Sequence, residues 1–362
     1  MATAPTIRIP WWTWIAPLLA WIVLIIHFIV GVNPLVDVAS AMALIATVFA
    51  AVYHAEVVAH RVGEPFGTLV LAIAVTIIEV ALIVSVMITG GPDKATLARD
   101  TVFAAVMIVC NGIIGLCLLA GGMRHFEQGF HVKGTGAALA VLVALTMLSL
   151  ILPNFTTSSP GPVFNTPQLI FAGVISLVLY GSFVFVQTVR HRDYFLSIEP
   201  DQAERYAPPP SARIAIASFL LLLAALVAVV GIAKSLTPAL ETAIANFGAP
   251  KAVVGIAIAT LVLLPEGLAA YRAARVNRLQ TSMNLALGSA LASIGLTIPA
   301  VAATSLILNN PLTLGLDAKE EVLLALTLVL SVITFGTGRT TILQGIVHLT
   351  VFAAFIFVAV VP

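Results

Sequence analysis

The chain has 362 residues, of which 60% are hydrophobic and only 9% are Asp, Glu, Lys or Arg, and its formal net charge is +1. Ordinary soluble domains carry about 25% charged residues, so this composition argues against a water-soluble globular protein, and the near-neutral charge offers no basic face to nucleic acid. Two cysteines, Cys110 and Cys117, do not make a secreted disulfide scaffold.

A helix needs about 20 apolar residues to cross the hydrocarbon core. Eleven runs read as such helices, near 11–31, 36–55, 67–89, 101–122, 135–153, 168–188, 213–232, 250–271, 283–308, 320–335 and 342–361. They must be helical because lipid leaves no backbone group unpaired, and the fold class is therefore an all-α integral membrane protein. The first run follows Pro5 and Pro10 and lacks an A-x-A cleavage signal, so it reads as a retained helix with Trp11, Trp12 and Trp14 at the interface. The third carries Glu79 near its middle. The fourth opens with Arg99 and Asp100, which read as marking the membrane surface, and contains Asn111 and both cysteines. Cys110 and Cys117 are seven residues apart on one helix, too far to be bridged. Gln187 ends the sixth run.

The one long polar interruption, Arg190 to Arg213, includes Asp193, Glu199, Asp201, Glu204 and the run Pro208, Pro209, Pro210. It lacks a 12-residue calcium-loop pattern and reads as a solvated linker. Beyond it, the eighth run carries Pro265 and Glu266, the ninth Asn284, Ser289 and Ser293, and the last Gln344 and His348. Assigning loops alternately to the two faces puts twelve of the 17 Lys and Arg residues on the side of the N-terminus and linker. The positive-inside rule makes that side cytoplasmic and places the C-terminus opposite.

The linker leaves six runs before it and five after. Setting the first aside gives five against five, and an odd-numbered unit repeated in tandem inserts in opposite senses, the arithmetic of secondary transporters with a site at the repeat interface. The expected organisation is an N-terminal helix (1–33), a first inverted repeat (34–190), a cytoplasmic linker (191–212) and a second inverted repeat (213–362). Glu79 and Glu266 fall in corresponding places of the two halves. Each costs about 2.5 to 3.5 kcal/mol at bilayer depth on insertion scales, and their matched positions suggest one shared site. Pro265 removes a backbone N–H and frees a carbonyl in the preceding turn. Gly288, Ser289, Ala290, Ala292, Ser293 and Gly295 allow close helix approach and supply hydroxyls. For a single glutamate the plain alternative is a protonated helix–helix hydrogen bond. Asn111 and Asn284 read equally as interhelical hydrogen-bonding groups, Ser289 and Ser293 as packing residues, and Gln187, Gln344 and His348 as structural polar groups or parts of a proton path.

An enzyme is the rival class. His54 and His60 bracket Glu56 without forming H-E-x-x-H, and Leu287-Gly288-Ser289-Ala290 lacks the second glycine of a nucleophile elbow. A channel is disfavoured because no repeated filter or ring of charge is visible.

Two stretches carry a resemblance. Gly63-Glu64-Pro65-Phe66-Gly67-Thr68-Leu69, leading to Thr76-Ile77-Ile78-Glu79, resembles the first alpha-repeat of the calcium/cation antiporter superfamily. Leu264-Pro265-Glu266-Gly267-Leu268, leading through Arg275-Val276-Asn277 to Met283-Asn284-Leu285 and Gly288-Ser289, resembles the second. The bacterial Ca2+/H+ antiporter branch of the ChaA type is the most similar, with Thr337-Gly338-Arg339-Thr340 and Phe185-Val186-Gln187-Thr188 also familiar. The resemblance spans essentially the whole chain. It implies that Glu79 and Glu266 bind the cation and exchange protons, that Ser289 is the small hydroxyl residue of the second repeat, and that the protein sits in a bacterial inner membrane. Where many relatives have Gly-Asn before the acidic residue, this chain has Val75-Thr76 and Leu263-Leu264, and it has Ala104 where relatives often carry Gly-Ser, so Thr76 is the local substitute for an Asn ligand.

Ca2+ takes 6 to 8 oxygens from carboxylates, carbonyls, hydroxyls and water. Two carboxylates balance one Ca2+ or two protons, so metal and protons compete for the same oxygens. The expectation is a secondary antiporter exchanging Ca2+ for H+, with Na+(K+)/H+ exchange at the same site as the alternative. The expected site is Glu79, Glu266, Thr76, Pro265, Ser289, Ser293, Asn284 and Asn111, with no resident cofactor, no nucleic-acid partner and the bilayer as its surroundings. Charge counting leaves the choice among Ca2+, Na+ and K+ open.

Overall fold

The computed structural model describes residues 10–31, 33–63, 66–90, 95–196, 209–246, 250, 252–310 and 312–361. Glu64 and Pro65 of the first motif, and Glu199, Asp201, Glu204 and Pro208 of the linker, lie outside the described residues. Every apolar run becomes a helix: α1 Trp11–Val30, α2 Pro34–Val62, α3 Phe66–Gly90, α4 Leu97–His125, α5 Val132–Phe155, α6 Thr166–Arg190, α7 Ala212–Asn246, α8 Ala252–Arg275, α9 Leu279–Leu308, α10 Ala318–Phe335 and α11 Ile342–Val360. Nine of these are long and apolar enough to cross a membrane. In α3 the apolar stretch is the shorter Ile73–Ile88, and α10 carries Lys319, Glu320 and Glu321 in its first turn. The class is therefore an all-α multi-pass membrane protein, whose only described strands are β1 Gln128–Gly129 and β2 Arg339–Thr340.

Helix starts follow local chemistry. Asn33 accepts the Leu35 N–H ahead of Pro34, and Asn165 and Gln168 cap α6 reciprocally around Pro167. Gln344 does the same for α11, accepting from the Thr341 N–H at 2.9 Å, which gives that span-end glutamine a structural task.

The chain divides into two compact units. Unit 1 (1–85 and 201–243) takes α1, α2, most of α3 and α7. In it, α1 lies along α2. Pro17 has no N–H to give the Thr13 carbonyl, and the buried His54 ring on α2 sits 3.0 Å from that oxygen through Nε2. Thr47 adds a hydrogen bond to the Ala16 carbonyl at 3.2 Å, and Trp21 donates to the Ala224 carbonyl of α7 at 3.1 Å.

Unit 2 (86–200 and 244–362) is built around α4, of which Leu97–Met107 are all buried except Asp100. Helices α8, α9 and α11 pack on α4, and α9 also packs on α5 and α6. The α4–α11 contact is a close backbone approach: a Cβ at Gly345 would stand 2.5 Å from the Leu119 nitrogen, as small residues at membrane-helix interfaces allow. Three helices of this unit contain a π turn, at Ile108–Ile113 in α4, Met147–Ile151 in α5 and Val186–Arg190 in α6.

Loops gather at the two ends of unit 2. At one end β1, between α4 and α5, pairs antiparallel with β2, between α10 and α11, in the register Gln128↔Thr340 and Gly129↔Arg339. At the other, Val163, between α5 and α6, bridges antiparallel to Thr313, between α9 and α10. Here Arg99, only 7% exposed, donates to Asp100 at 2.8 Å and to the Gly315 carbonyl at 2.9 Å. The Arg99–Asp100 pair thus does more than mark a surface, since it ties the start of α4 to the loop before α10.

Candidate cation and proton site

Within unit 1, Glu79 is 2% exposed and Thr76 4%. Three residues apart on α3, they lie on one helix face, and that face is turned inward while Ile73 and Ile77 are exposed. The segment supplies a carboxylate and a hydroxyl to the protein interior from an otherwise apolar helix.

Within unit 2, Glu266 on α8 is 6% exposed and accepts a hydrogen bond from the Ser289 hydroxyl of α9. Helix α8 continues through Pro265 without a break, so the proline's effect is confined to the Leu261 carbonyl, which loses its i+4 donor. The expectation of a released carbonyl stands at this one oxygen, inside a continuous helix. Ser293, one turn after Ser289, is buried on the same face of α9. That face admits close neighbours: Gly295 lies against Tyr180 of α6, where a Cβ would meet the Tyr180 Cβ at 2.7 Å. Tyr180 is within electrostatic reach of the Glu266 carboxylate, a neighbour that the sequence pattern did not single out. Among the described residues no three His, Cys, Asp or Glu side chains gather. Carboxylate and hydroxyl oxygens, with the Leu261 carbonyl nearby in the chain, are donors suited to a hard cation or to protons.

The two asparagines are otherwise engaged. Asn284 donates to the Phe195 carbonyl and accepts from the Gln280 side chain at 2.8 Å. Asn111, fully buried in the π turn of α4, donates to the Thr327 hydroxyl at 2.8 Å, and its carboxamide oxygen lies 3.2 Å from Nδ1 of His348. The other ring nitrogen of His348 lies 3.1 Å from the Thr334 hydroxyl, and Phe335 stacks on the ring at 6.2 Å. This polar chain runs between α4, α10 and α11. Thr327 and Thr334 were not legible as its members, because nothing in an apolar run of that kind distinguishes a hydroxyl bonded to a distant helix from one bonded to its own.

Comparisons with known proteins agree with this geometry. The family description "sodium/calcium exchanger protein" matches residues 32–189 and 217–361. A putative ionic transporter, y4hA of Sinorhizobium fredii (strain NBRC 101917 / NGR234), is 50% identical over 98% of this chain and 97% of its own length. The sodium-potassium/proton antiporter ChaA of Escherichia coli (strain K12) is 38% identical over 94% of each chain. The crystal structure of the H+/Ca2+ exchanger CAX shares the fold, with a TM-score of 0.72 at 15% identity over 95% of this chain and 87% of that one. The matched segments leave out little more than the linker and α1, and on that basis the chain belongs to the sodium/calcium exchanger protein family.

Proposed function

We propose that this multi-pass transporter exchanges cytoplasmic Ca2+ for external H+ by alternating access, with Glu79 and Glu266 holding cation or protons in competition. The observation that carries it is a buried carboxylate on each of two apolar helices, α3 and α8, one in each half of the sequence, with hydroxyls at Thr76 and at Ser289. Ser293 extends the donor set, and Pro265 exposes one carbonyl to it. Asn111 and Asn284 serve as positioning groups in this reading, because their amides are already engaged. Two carboxylates neutralise one Ca2+ or two protons, and an empty, doubly charged site is costly to move through a low-dielectric interior. Exchange rather than leak follows.

We infer that the fold is two inverted repeats, 34–190 and 213–362, after the N-terminal helix. Two relations within unit 2 support it. The loop between the third and fourth helices of the first half pairs with the loop between the fourth and fifth of the second, β1 with β2. The reciprocal loops meet at Val163 and Thr313. A two-fold relation between antiparallel halves generates such exchanged partners. The family also implies a bacterial inner membrane as the location, with the linker cytoplasmic.

A second reading, Na+(K+)/H+ exchange at the same carboxylates, is favoured by the name of the relative at 38% identity, a sodium-potassium/proton antiporter. One experiment separates the two. Purified protein in proteoliposomes is offered Ca2+, Na+ or K+ separately over a pH series while proton release is followed. Saturable Ca2+-driven proton movement, with an apparent Ca2+ affinity that strengthens as pH rises and protons leave the carboxylates, is expected. Proton movement driven by monovalent ions alone replaces the first reading with the second and leaves the carboxylate site standing.

A further inference from the structure

Unit 2 holds a small polar cavity where the first turn of α5, the last turn of α6 and the beginning of α9 meet, at the end from which the linker leaves. Gly134, Thr135, Gln187, Phe195, Asn284 and Gly288 line a space of about 190 Å³. Thr135 is 2% exposed, and its hydroxyl has no hydrogen-bond partner among the described residues. A buried hydroxyl left so costs about 1 to 3 kcal/mol, and water in the cavity removes the cost. Gln187 sits in the π turn of α6, an irregularity that recurs at functional positions.

Inward, Gly288 precedes Ser289, the hydroxyl bonded to Glu266. A side chain built at Gly288 would meet nothing within 4 Å, so this helix face opens on the cavity. The turn His191–Phe195 lies across it. Phe195 meets Phe183 edge to face at 5.9 Å, Tyr194 stacks on His191 at 4.9 Å, and the Lys133 ammonium lies 5.2 Å from the Tyr194 ring. Gly134 lets this turn approach, since a Cβ there would stand 2.2 Å from the Tyr194 carbonyl oxygen. The Phe195 carbonyl is latched by Asn284.

We propose that the cavity is an access chamber for water and a hydrated cation on the linker side of Glu266, and that Phe195 is its lid. The chamber rests on the carboxylate reading of Glu266. Asn284, Gln187 and Thr135 offer amide and hydroxyl groups that exchange for hydration water without holding the ion tightly, while Gly288 leaves the way to Ser289 unobstructed.

The test uses full-length protein in proteoliposomes, with Cys110→Ala and Cys117→Ala removing the native thiols and Thr135→Cys as reporter. A membrane-impermeant methanethiosulfonate reagent is added to each face in turn. Loss of an aromatic contact or the latch, each worth about 1 kcal/mol, shifts an opening equilibrium by about tenfold. Labelling from the linker face is therefore expected to accelerate by about that factor with either Phe195→Ala or Gly134→Ala. Gly288→Val fills the chamber, so it is expected to raise the KM for the transported cation and slow labelling at position 135 with thermal stability unchanged. Labelling unaffected by both lid variants, or wild-type transport and labelling by Gly288→Val, overturns the proposal. Labelling requires no transport, so exchange surviving in Glu266→Gln removes the carboxylate reading while the chamber is still decided by the thiol.

Discussion

Glu266 and Ser289 stand 23 residues apart, yet the serine hydroxyl is the group that meets the carboxylate. A lone hydrogen bond does not offset the cost of an ionised carboxylate at depth, so Glu266 is stable there either protonated or beside a cation. The same holds for Glu79 on its inward face. Glu79→Gln and Glu266→Gln keep size and hydrogen bonding but remove the charge. Each is expected to abolish coupled exchange in everted vesicles while the protein inserts and melts normally, and substantial exchange by either variant removes that residue from the mechanism. Glu→Asp at either position is expected to retain reduced activity, because one methylene displaces an oxygen beyond the tolerance of a 2.3 to 2.6 Å coordination shell. Ser289→Ala, which deletes a bond of about 1 kcal/mol, is expected to weaken cation affinity roughly fivefold. The carboxylates and Ser289 were legible in the sequence because a charge in an apolar run and a small residue after it are conspicuous there. The ties of Asn284 to Phe195 and of Asn111 to His348 were not, since they depend on which helix ends and faces fold together.

At the scale of elements, unit 2 departs from plain α-helix in three π turns, and the one in α4 holds Asn111. A π turn inserts an extra residue into the helix and turns the side chains after it, so α4 needs an anchor to keep its register. Asn111 with Thr327 and His348 supplies it, bonding α4 to α10 and α11 at once. Met107 sulfur, 3.3 Å from the Thr327 hydroxyl, closes the group. The network predicts that Asn111→Leu and His348→Ala each lower the melting temperature in detergent and that their effects are not additive, with a coupling of about 0.6 to 2 kcal/mol as found for polar pairs between membrane helices. Strict additivity in that double-mutant cycle means that the two residues act independently and that α4 is held by packing alone. The helices themselves were plain from length and hydropathy. The π turns were not, because no residue type marks an inserted position in a continuous apolar run, and Pro265, which does mark one in principle, sits in a helix that runs on.

Across the whole molecule, the eleven expected spans and the eleven helices coincide, although α10 carries three charges in its first turn and falls outside the helices that length and composition alone assign to a membrane. The loop contacts of unit 2 show that α10 nevertheless runs from one end of the unit to the other. Its start adjoins the loop that bonds the Ala95 and Pro162 carbonyls through Thr313 and Gly315, whereas β2, just past its end, pairs with β1 at the opposite pole. The charges gather at its first turn and leave the rest apolar. In unit 1, Arg61 at the end of α2 donates to the Pro210 carbonyl ahead of α7 at 3.2 Å, which puts those two helix ends on one face, as alternate crossing requires. An odd number of crossings separates the termini, and the excess of Lys and Arg on the linker side makes it cytoplasmic. Single cysteines at Ser211 and Val361, both exposed, placed in a background lacking Cys110 and Cys117, are therefore expected to react with an impermeant thiol reagent from opposite faces of the membrane, Ser211→Cys from the cytoplasm. Labelling of both from the same face leaves an even number of crossings. The two halves would then insert in the same sense, and the inverted repeat, together with the pairing of Glu79 with Glu266 across it, would fall.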